Sequence, residues 1–512
     1  MGKRIVVNAG LIETRIAVQT DGLLTELYVE RKGRRSIVGN IYKGVVTNVL
    51  PGMQAAFVDI GLAKDAFLYA GDYTANLAEG EAGPDVEVDE VGPDVEDDAP
   101  DVDVAAEPRR EGAPPIEERL SRGQGVLVQV SKESLGSKGA RVTSFVSLPG
   151  RSIVYMPQAR HVGVSRRIRD EEERERLRSL VKGLRPPAGG FIVRTVAEGK
   201  GEEELSADIQ FLSRLWAQVQ ARFEGATAPS LLHEEMDLTF RVVRDLFSAD
   251  VEEFVVDDPG AYAKCVEFAG SLVPQLATRV RLWEGVTPIF EATGVERELE
   301  RALRRRVWLK SGGYIVIDHT EALVAIDVNS GKYVGKRDFE ETVLKINLEA
   351  VGEIVRQIRL RDLGGIIIID FIDMERPEHR AEVHAALLRV LADDKARTNV
   401  LEISELGLVE MTRKRVRQSL PSLFSSACPT CKGTGLVRSD AALAAEIVRK
   451  VHGAAAEATG DEAVIRAHPD LAHHLETERR EAFARLASLT GRKITVQAVP
   501  TYQREQYEIA WR

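Results

Sequence analysis

Two runs of the chain end in the same chemistry: Glu321-Ala-Leu-Val-Ala-Ile-Asp327-Val-Asn329 and Gly364-Gly365-Ile-Ile-Ile-Ile-Asp370. Each reads as a short apolar strand, bounded by turn-prone residues, that finishes in a carboxylate. A carboxylate at the end of a buried strand is costly unless it is paired or holds a cation, and two such ends side by side would form an all-oxygen site suited to Mg2+. Asn329 lies two residues past Asp327. If the strand continues that far, its amide points to the same side and can orient a reacting group without adding charge. The other reading is that both aspartates cap the turns that follow their strands.

A second cluster is Cys428-Pro-Thr-Cys431, with Gly433 and Gly435 behind it. Two thiolates in one turn are half of a zinc knuckle, because structural Zn2+ normally takes four ligands. There is no second Cys-x-x-Cys, and Cys265 is remote in sequence. The missing ligands would then come from a second copy of the chain, which would make the turn a link between subunits. A redox pair is the alternative, although such pairs usually sit at a helix start after a strand and the flanks here are polar loop.

These groups need elements to hold them. Around Lys43, Phe57, Phe67, Lys132 and Lys138 the pattern is all-β: five short strands between residues 39 and 151, with Gly and Pro at the bends and aromatic and basic residues interleaved. That suits a small OB-type barrel whose exposed rings stack on unpaired bases while lysines meet phosphate; the competing reading puts the phenylalanines in the core. Residues 152–239 mix Arg-rich helix with a strand ending at Arg194-Thr195, a pair equipped to hold a phosphate, or simply solvated. Residues 240–302 alternate helix and short strand. Beyond Asp440 a small α/β domain is expected, with an assembly or scaffolding role; His473 and His474 point about 100° apart on its second helix and make a poor metal pair.

A chain of 512 residues has room for three or four domains, and 44% hydrophobic with 29% charged residues describes an ordinary soluble protein. No apolar stretch approaches a membrane span, the N-terminus lacks signal-peptide architecture, and three cysteines are too few for a disulfide framework; a cytoplasmic protein is expected. The net charge of -11 argues against a nucleic-acid partner only until it is located. Residues 79–111 hold fourteen acidic and two basic residues, a local -12, so that the rest of the chain nets +1. Punctuated by four prolines, a stretch of this composition cannot bury enough apolar area to offset its ordering entropy, and a disordered acidic insertion over about 79–116 is expected.

Taken in order, Asn40-Ile-Tyr-Lys-Gly, Gln54-Ala-Ala-Phe-Val-Asp, Ser311-Gly-Gly-Tyr-Ile-Val-Ile-Asp, Ala325-Ile-Asp-Val-Asn-Ser, Arg359-Leu-Arg-Asp-Leu-Gly-Gly-Ile-Ile-Ile-Ile-Asp and Cys428-Pro-Thr-Cys resemble the ribonuclease E/G endoribonucleases. The chain stops at Arg512 without the long disordered scaffold tail of the E branch, which points to the G branch. The resemblance implies a multidomain α/β and α+β protein. Residues 1–38 and 240–302 would form a ribonuclease-H-like subdomain, residues 39–151 an S1 RNA-binding barrel carrying the acidic insertion, and residues 152–239 a 5' sensor. Residues 303–424 would be a DNase-I-like catalytic subdomain, 425–439 a zinc link and 440–512 the small α/β domain.

The resemblance further implies that Asp327 and Asp370 hold the catalytic Mg2+ and that Asn329 orients the scissile phosphate. It makes Phe57, Phe67 and Lys138 RNA-binding. It assigns Gly150, Val154, Arg194 and Thr195, with Arg397 beside them, to a 5'-monophosphate pocket. Cys428 and Cys431 would share one Zn2+ between protomers of a homodimer or dimer of dimers. The expected activity is cleavage of single-stranded RNA, in rRNA precursors and mRNA, to 5'-phosphate and 3'-hydroxyl products. The alternative is an S1-type RNA-binding regulator that does not cut. Related chains often carry a polar residue where Ile346 stands, a departure that leaves the two aspartates and the asparagine untouched.

Overall fold

The computed structural model describes residues 2–33, 36–73, 115–133, 139–165, 167–186, 188–331, 339–392, 394–404, 406–415 and 418–512. Residues 79–114 of the expected acidic insertion and Lys138 lie outside them, but the insertion ends earlier than expected, since Ile116 is buried and opens helix Ile116–Arg119. The chain forms two compact units, one ending at Leu423 and one running from Phe424 to Arg512. It is a mixed α/β protein containing a closed five-stranded barrel. Among the described residues no helix is long and apolar enough to cross a membrane.

Segments far apart in sequence share the first sheet. Strands Lys3–Ala9, Glu13–Thr20 and Leu23–Arg31 run antiparallel to one another, and Lys3–Ala9 also pairs in parallel with Val251–Val256, which pairs with Val280–Leu282. Helices Leu238–Leu246 and Pro259–Leu272 pack on it through a core that includes Ile5, Val7, Ile16, Val18, Val242, Phe247 and Phe254.

Between these segments sits the barrel. Strands Ile41–Leu50, Ala55–Asp59, Ala66–Tyr69, Arg141–Thr143 and Gly125–Lys132 pair in that order, and Gly125–Lys132 closes on Ile41–Leu50. Alternation puts Val46, Ala56, Val58, Ala66, Leu68, Val128 and Val142 inside. A separate four-stranded sheet, with Ile153–Met156 and Gly190–Val193 at its centre, packs on helices Glu171–Leu184 and Glu202–Gly225.

The sheet carrying both aspartates has the order Arg306–Trp308, Tyr314–His319, Leu323–Asn329, Gly365–Asp370, Leu408–Arg413, Thr398–Val400. Leu323–Asn329 and Gly365–Asp370 are parallel, and helix Phe339–Leu360 crosses between them as a βαβ unit. Here the structure departs from the fully buried strands expected from the apolar runs. Val324, Ile326, Ile367, Ile369, Val409 and Met411 face the helices and are buried, whereas Ile366 is 49% exposed and Ala325 and Ile368 are half-buried. Among the described residues, the helices cover one face of the sheet and leave the other open.

The second unit has a three-stranded sheet in which Glu462–Ala467 lies between Lys493–Ala498 and Tyr507–Trp511. Helices Asp440–Ala454, Pro469–Glu476 and Arg480–Thr490 pack against it.

Candidate active site

Parallel pairing sets Asp327 directly opposite Asp370. Residues opposed in this way project to one face, here the open one, and both carboxylates are exposed. Asn329 projects to the same face and donates from Nδ2 to Asp327 Oδ2 at 2.7 Å, so the amide does lie beside the carboxylate as its spacing predicts. Burial pushes the Asp370 carboxyl above the ordinary carboxylate range, and the negative charges of Asp327 and Asp373 push it in the same direction. Among the described residues no arginine or lysine forms an ion pair with Asp327 or Asp370. Two repelling oxygen donors at one register position suit a divalent cation.

The strand ends are held by contacts that sequence reading missed. Asn347 is fully buried, donates from Nδ2 to the Ile372 carbonyl at 2.8 Å and accepts from the Ile372 amide at 3.1 Å. That reciprocal clamp fixes the chain two residues past Asp370. An asparagine on the buried face of an amphipathic helix is the signal that could have found it. At the other strand, the turn at Ser311-Gly312-Gly313 packs so close that a Cβ on Gly313 would come within 2.8 Å of the Asn329 carbonyl. Glycine is required there by the approach of backbone to backbone. Behind the sheet, buried Arg413 bonds Asp394 at 2.8 Å and Asp362 at 2.7 Å, tying its strand to the turns at both residues.

On the outside of the barrel, Asn48, Phe57, Phe67, Arg141 and Lys132 follow one another in register across successive strands. The Phe57 and Phe67 rings lie edge to face at 5.5 Å, with Tyr69 a further 4.5 Å from Phe67 and the Arg141 guanidinium 4.6 Å from the Tyr69 ring. All three rings are half-buried rather than in the core. Tyr69 follows Phe67 by alternation along one strand, whereas Arg141 joins the row only through strand pairing, which no local sequence pattern announces. Lys43 is not part of it: its ammonium bonds the carbonyls of Phe223 at 2.7 Å and Ala226 at 2.9 Å, closing the C-terminal end of helix Glu202–Gly225.

The structure gathers Gly150, Val154, Arg194 and Thr195 at adjoining strand ends. The Arg194 guanidinium is buried, donating to the Gly150 carbonyl at 2.8 Å and to Asp245 at 2.7 Å. Asp245 also accepts from Arg244, at 3.0 and 3.1 Å. Burial alone would push the Asp245 carboxyl up, but Arg244 and Arg194 outweigh it and hold it below the ordinary range. Asp208, on helix Glu202–Gly225, accepts from the backbone amides of Ser152 at 2.7 Å and Ile153 at 3.1 Å, fixing the turn that carries Gly150. Thr195 Oγ1 lies 3.0 Å from Ser165 Oγ. Val154 is buried with Met156, Ala159 and Ile192. Arg397 is exposed on the segment after Lys395, and Arg167 reaches that segment by donating to the carbonyls of Asp394, at 3.2 Å, and Lys395.

In the second unit, Cys428 and Cys431 lie in one exposed turn in which the Lys432 amide donates to the Cys428 carbonyl at 2.7 Å. Backbone amides of Cys431 and Thr430 hold the Cys428 thiol below its ordinary value. Cys265 is buried in a core and its thiol is pushed up to about 12, chiefly by that burial, so it is no ligand in waiting. Among the described residues no group of three or more His, Cys, Asp or Glu is placed to hold a metal.

Residues 147–416 match the model of the ribonuclease E/G family, and residues 427–512 match one described as RNase E/G, Thioredoxin-like domain. The chain is 42% identical over 510 residues to Ribonuclease G of Escherichia coli strain K12, covering 99% of each. It is 41% identical to Ribonuclease G of Haemophilus influenzae, covering 99% of this chain and 98% of that one. Ribonuclease E of Escherichia coli strain K12 is 36% identical over 484 residues, covering 94% of this chain and 43% of that one.

Proposed function

Because this chain belongs to the ribonuclease E/G family and is an endoribonuclease, we propose that it cleaves single-stranded RNA at Asp327 and Asp370 with Mg2+ bound between them. The observation that carries this reading is the in-register pair of exposed carboxylates, with the Asn329 amide bonded beside them on an open sheet face. Held there, Mg2+ would supply Lewis-acid polarisation of the phosphodiester and a more acidic water. The protein's own contribution is positional. Asn347 and the Ser311–Gly313 turn hold the two strand ends, and Asn329 offers its amide to the scissile phosphate and to Asp327. The products would carry a 5'-phosphate and a 3'-hydroxyl, in rRNA maturation and mRNA decay. A labelled single-stranded oligonucleotide, incubated with Mg2+ and with excess chelator, tests the reading. Cleavage only with Mg2+ is expected, and cleavage undiminished by chelator would sink it.

The barrel row of Phe57, Phe67 and Tyr69 is suited to feed unpaired bases to that face, since rings stack on any base; Arg141, ion-paired with Asp72 at 2.8 Å, braces the Tyr69 ring, and Lys132 is the row's cation for phosphate. The Arg194 fork, aimed by Asp245 and Gly150, is the centre of the proposed 5'-monophosphate pocket, with Thr195 and Arg397 as further donors. Arg194→Ala removes one cation but leaves Asp245 paired with Arg244, so the buried carboxylate keeps a counter-ion. The variant is expected to lose the advantage of 5'-monophosphorylated over 5'-hydroxyl RNA while still cutting the hydroxyl form. Equal loss on both substrates would make Arg194 a support for the fold instead.

Two thiols from each of two chains would complete one tetrahedral Zn2+ site and join protomers at Cys428 and Cys431. On this reading Cys428→Ser loses close to one zinc per two chains and falls to a smaller species, seen by metal analysis beside light scattering. Unchanged zinc content and mass would place the subunit contact elsewhere.

A further inference from the structure

The open face of the catalytic sheet carries more than carboxylates. Trp308 pairs with Tyr314, and Tyr314 pairs with Asn329, so these three residues point to one face across three adjacent strands. Val316 sits opposite Asp327 and Arg306 opposite Val316, so Arg306 joins them. The Trp308 and Tyr314 rings lie edge to face at 5.2 Å. The Arg306 guanidinium sits 4.4 Å from the Tyr314 ring centre and 5.8 Å from that of Trp308. The indole is 63% exposed, on an edge strand whose next residue inward, Val307, is buried in the core. A large apolar side chain left in solvent beside a catalytic centre calls for an occupant.

We propose that Trp308, backed by Tyr314 and Arg306, is a base-stacking platform that holds a nucleotide of single-stranded RNA flanking the scissile phosphate. The inference rests on the reading that Asp327 and Asp370 cut RNA. Strand spacing places the Trp308 backbone roughly 10 Å from that of Asn329 and about 12 Å from that of Asp327. A base beside the reacting phosphate can span that gap, whereas one bound on the barrel row stacks on different rings. The cation argues for RNA over an apolar partner: Arg306 stacks on rings and attracts phosphate, a combination that recurs where single strands are read. Rigid edge-to-face rings hold the indole plane before substrate arrives, so little ordering cost remains for binding.

The test uses steady-state cleavage of short A/U oligonucleotides by the full chain. Trp308→Ala should raise KM about tenfold with kcat little changed, and Trp308→Phe should restore most of the loss, because stacking needs a ring rather than an indole. Abasic substitution at successive positions supplies the second readout. One position near the cleaved bond should raise KM in the parent and add nothing in Trp308→Ala. Kinetics unchanged in Trp308→Ala, or an abasic penalty that persists there undiminished, would overturn the platform and leave the cleavage site standing. A fall in assembly mass in both Trp308 variants would assign the indole to a subunit contact and equally overturn it. A parent chain that cuts no RNA would overturn the reading of the carboxylates themselves.

Discussion

Asp370→Asn is expected to lower turnover on single-stranded RNA by at least about a hundredfold while leaving RNA affinity close to that of the parent. Metal activation is worth several kcal/mol of barrier, and each ~1.4 kcal/mol is a factor of ten. The amide keeps the shape of the side chain and removes one anionic donor of two. Affinity should survive because the proposed RNA contacts at Phe57, Phe67 and Trp308 lie on other strands. Stability gives a second readout with a definite sign. Burial and the charges of Asp327 and Asp373 raise the Asp370 carboxyl in the folded chain. Its ionised form therefore opposes folding at pH values above its unfolded range, and a neutral amide escapes that opposition. The metal-free variant should thus unfold at or above the temperature of the metal-free parent at neutral pH. Near-parent turnover would remove Asp370 from the chemistry, and a less stable variant would assign it to the fold.

The second large effect is expected from Asp245→Asn. This carboxylate is buried between two arginines, and Arg194 and Arg244 are themselves 7% and 6% exposed. Removing one partner of a buried ion pair typically costs about 3–5 kcal/mol, because the remaining charge stays behind without its counter-ion. Arg244 retains Glu235 at 2.9 Å, whereas Arg194 retains only the Gly150 carbonyl among the partners named above. The loss should therefore concentrate around Gly150 and Arg194. Hydrogen exchange of the strand Gly190–Val193 and of helix Leu238–Leu246 should rise far more than exchange in the sheet of Asp327 and Asp370. Protection unchanged in the variant would show that the pair contributes nothing net.

The strands that end in Asp327, Asn329 and Asp370 were legible because apolar periodicity and a terminal carboxylate are local signals. What the runs did not reveal was that only one face is covered. Four consecutive isoleucines read as buried on both sides, yet Ile366 and Ile368 face outward, since helix packing is decided by topology. The barrel rings were legible for the same local reason. Arg141 was not, because it reaches the row from more than sixty residues away through a parallel pairing. Lys43 shows the converse: a lysine on a basic-looking strand caps a helix that lies about 180 residues later. Asp245 and Asp208 stayed invisible because an acidic residue on a helix looks solvated until its partners are known.

The sheet shared by residues 3–31 and 251–282 has a consequence for how the chain is made. Lys3–Ala9 emerges first, but its parallel neighbour Val251–Val256 is synthesised roughly 240 residues later. At translation rates of about 5–20 residues per second, that is a wait of roughly 12–50 s. During it the barrel and the sheet around Arg194 can fold on the ribosome, while Ile5, Val6 and Val7 present an unpaired strand edge. The N-terminal hairpin is thus a docking template held open until the middle of the chain arrives. Its burial reports that everything inserted between the two halves has already been built.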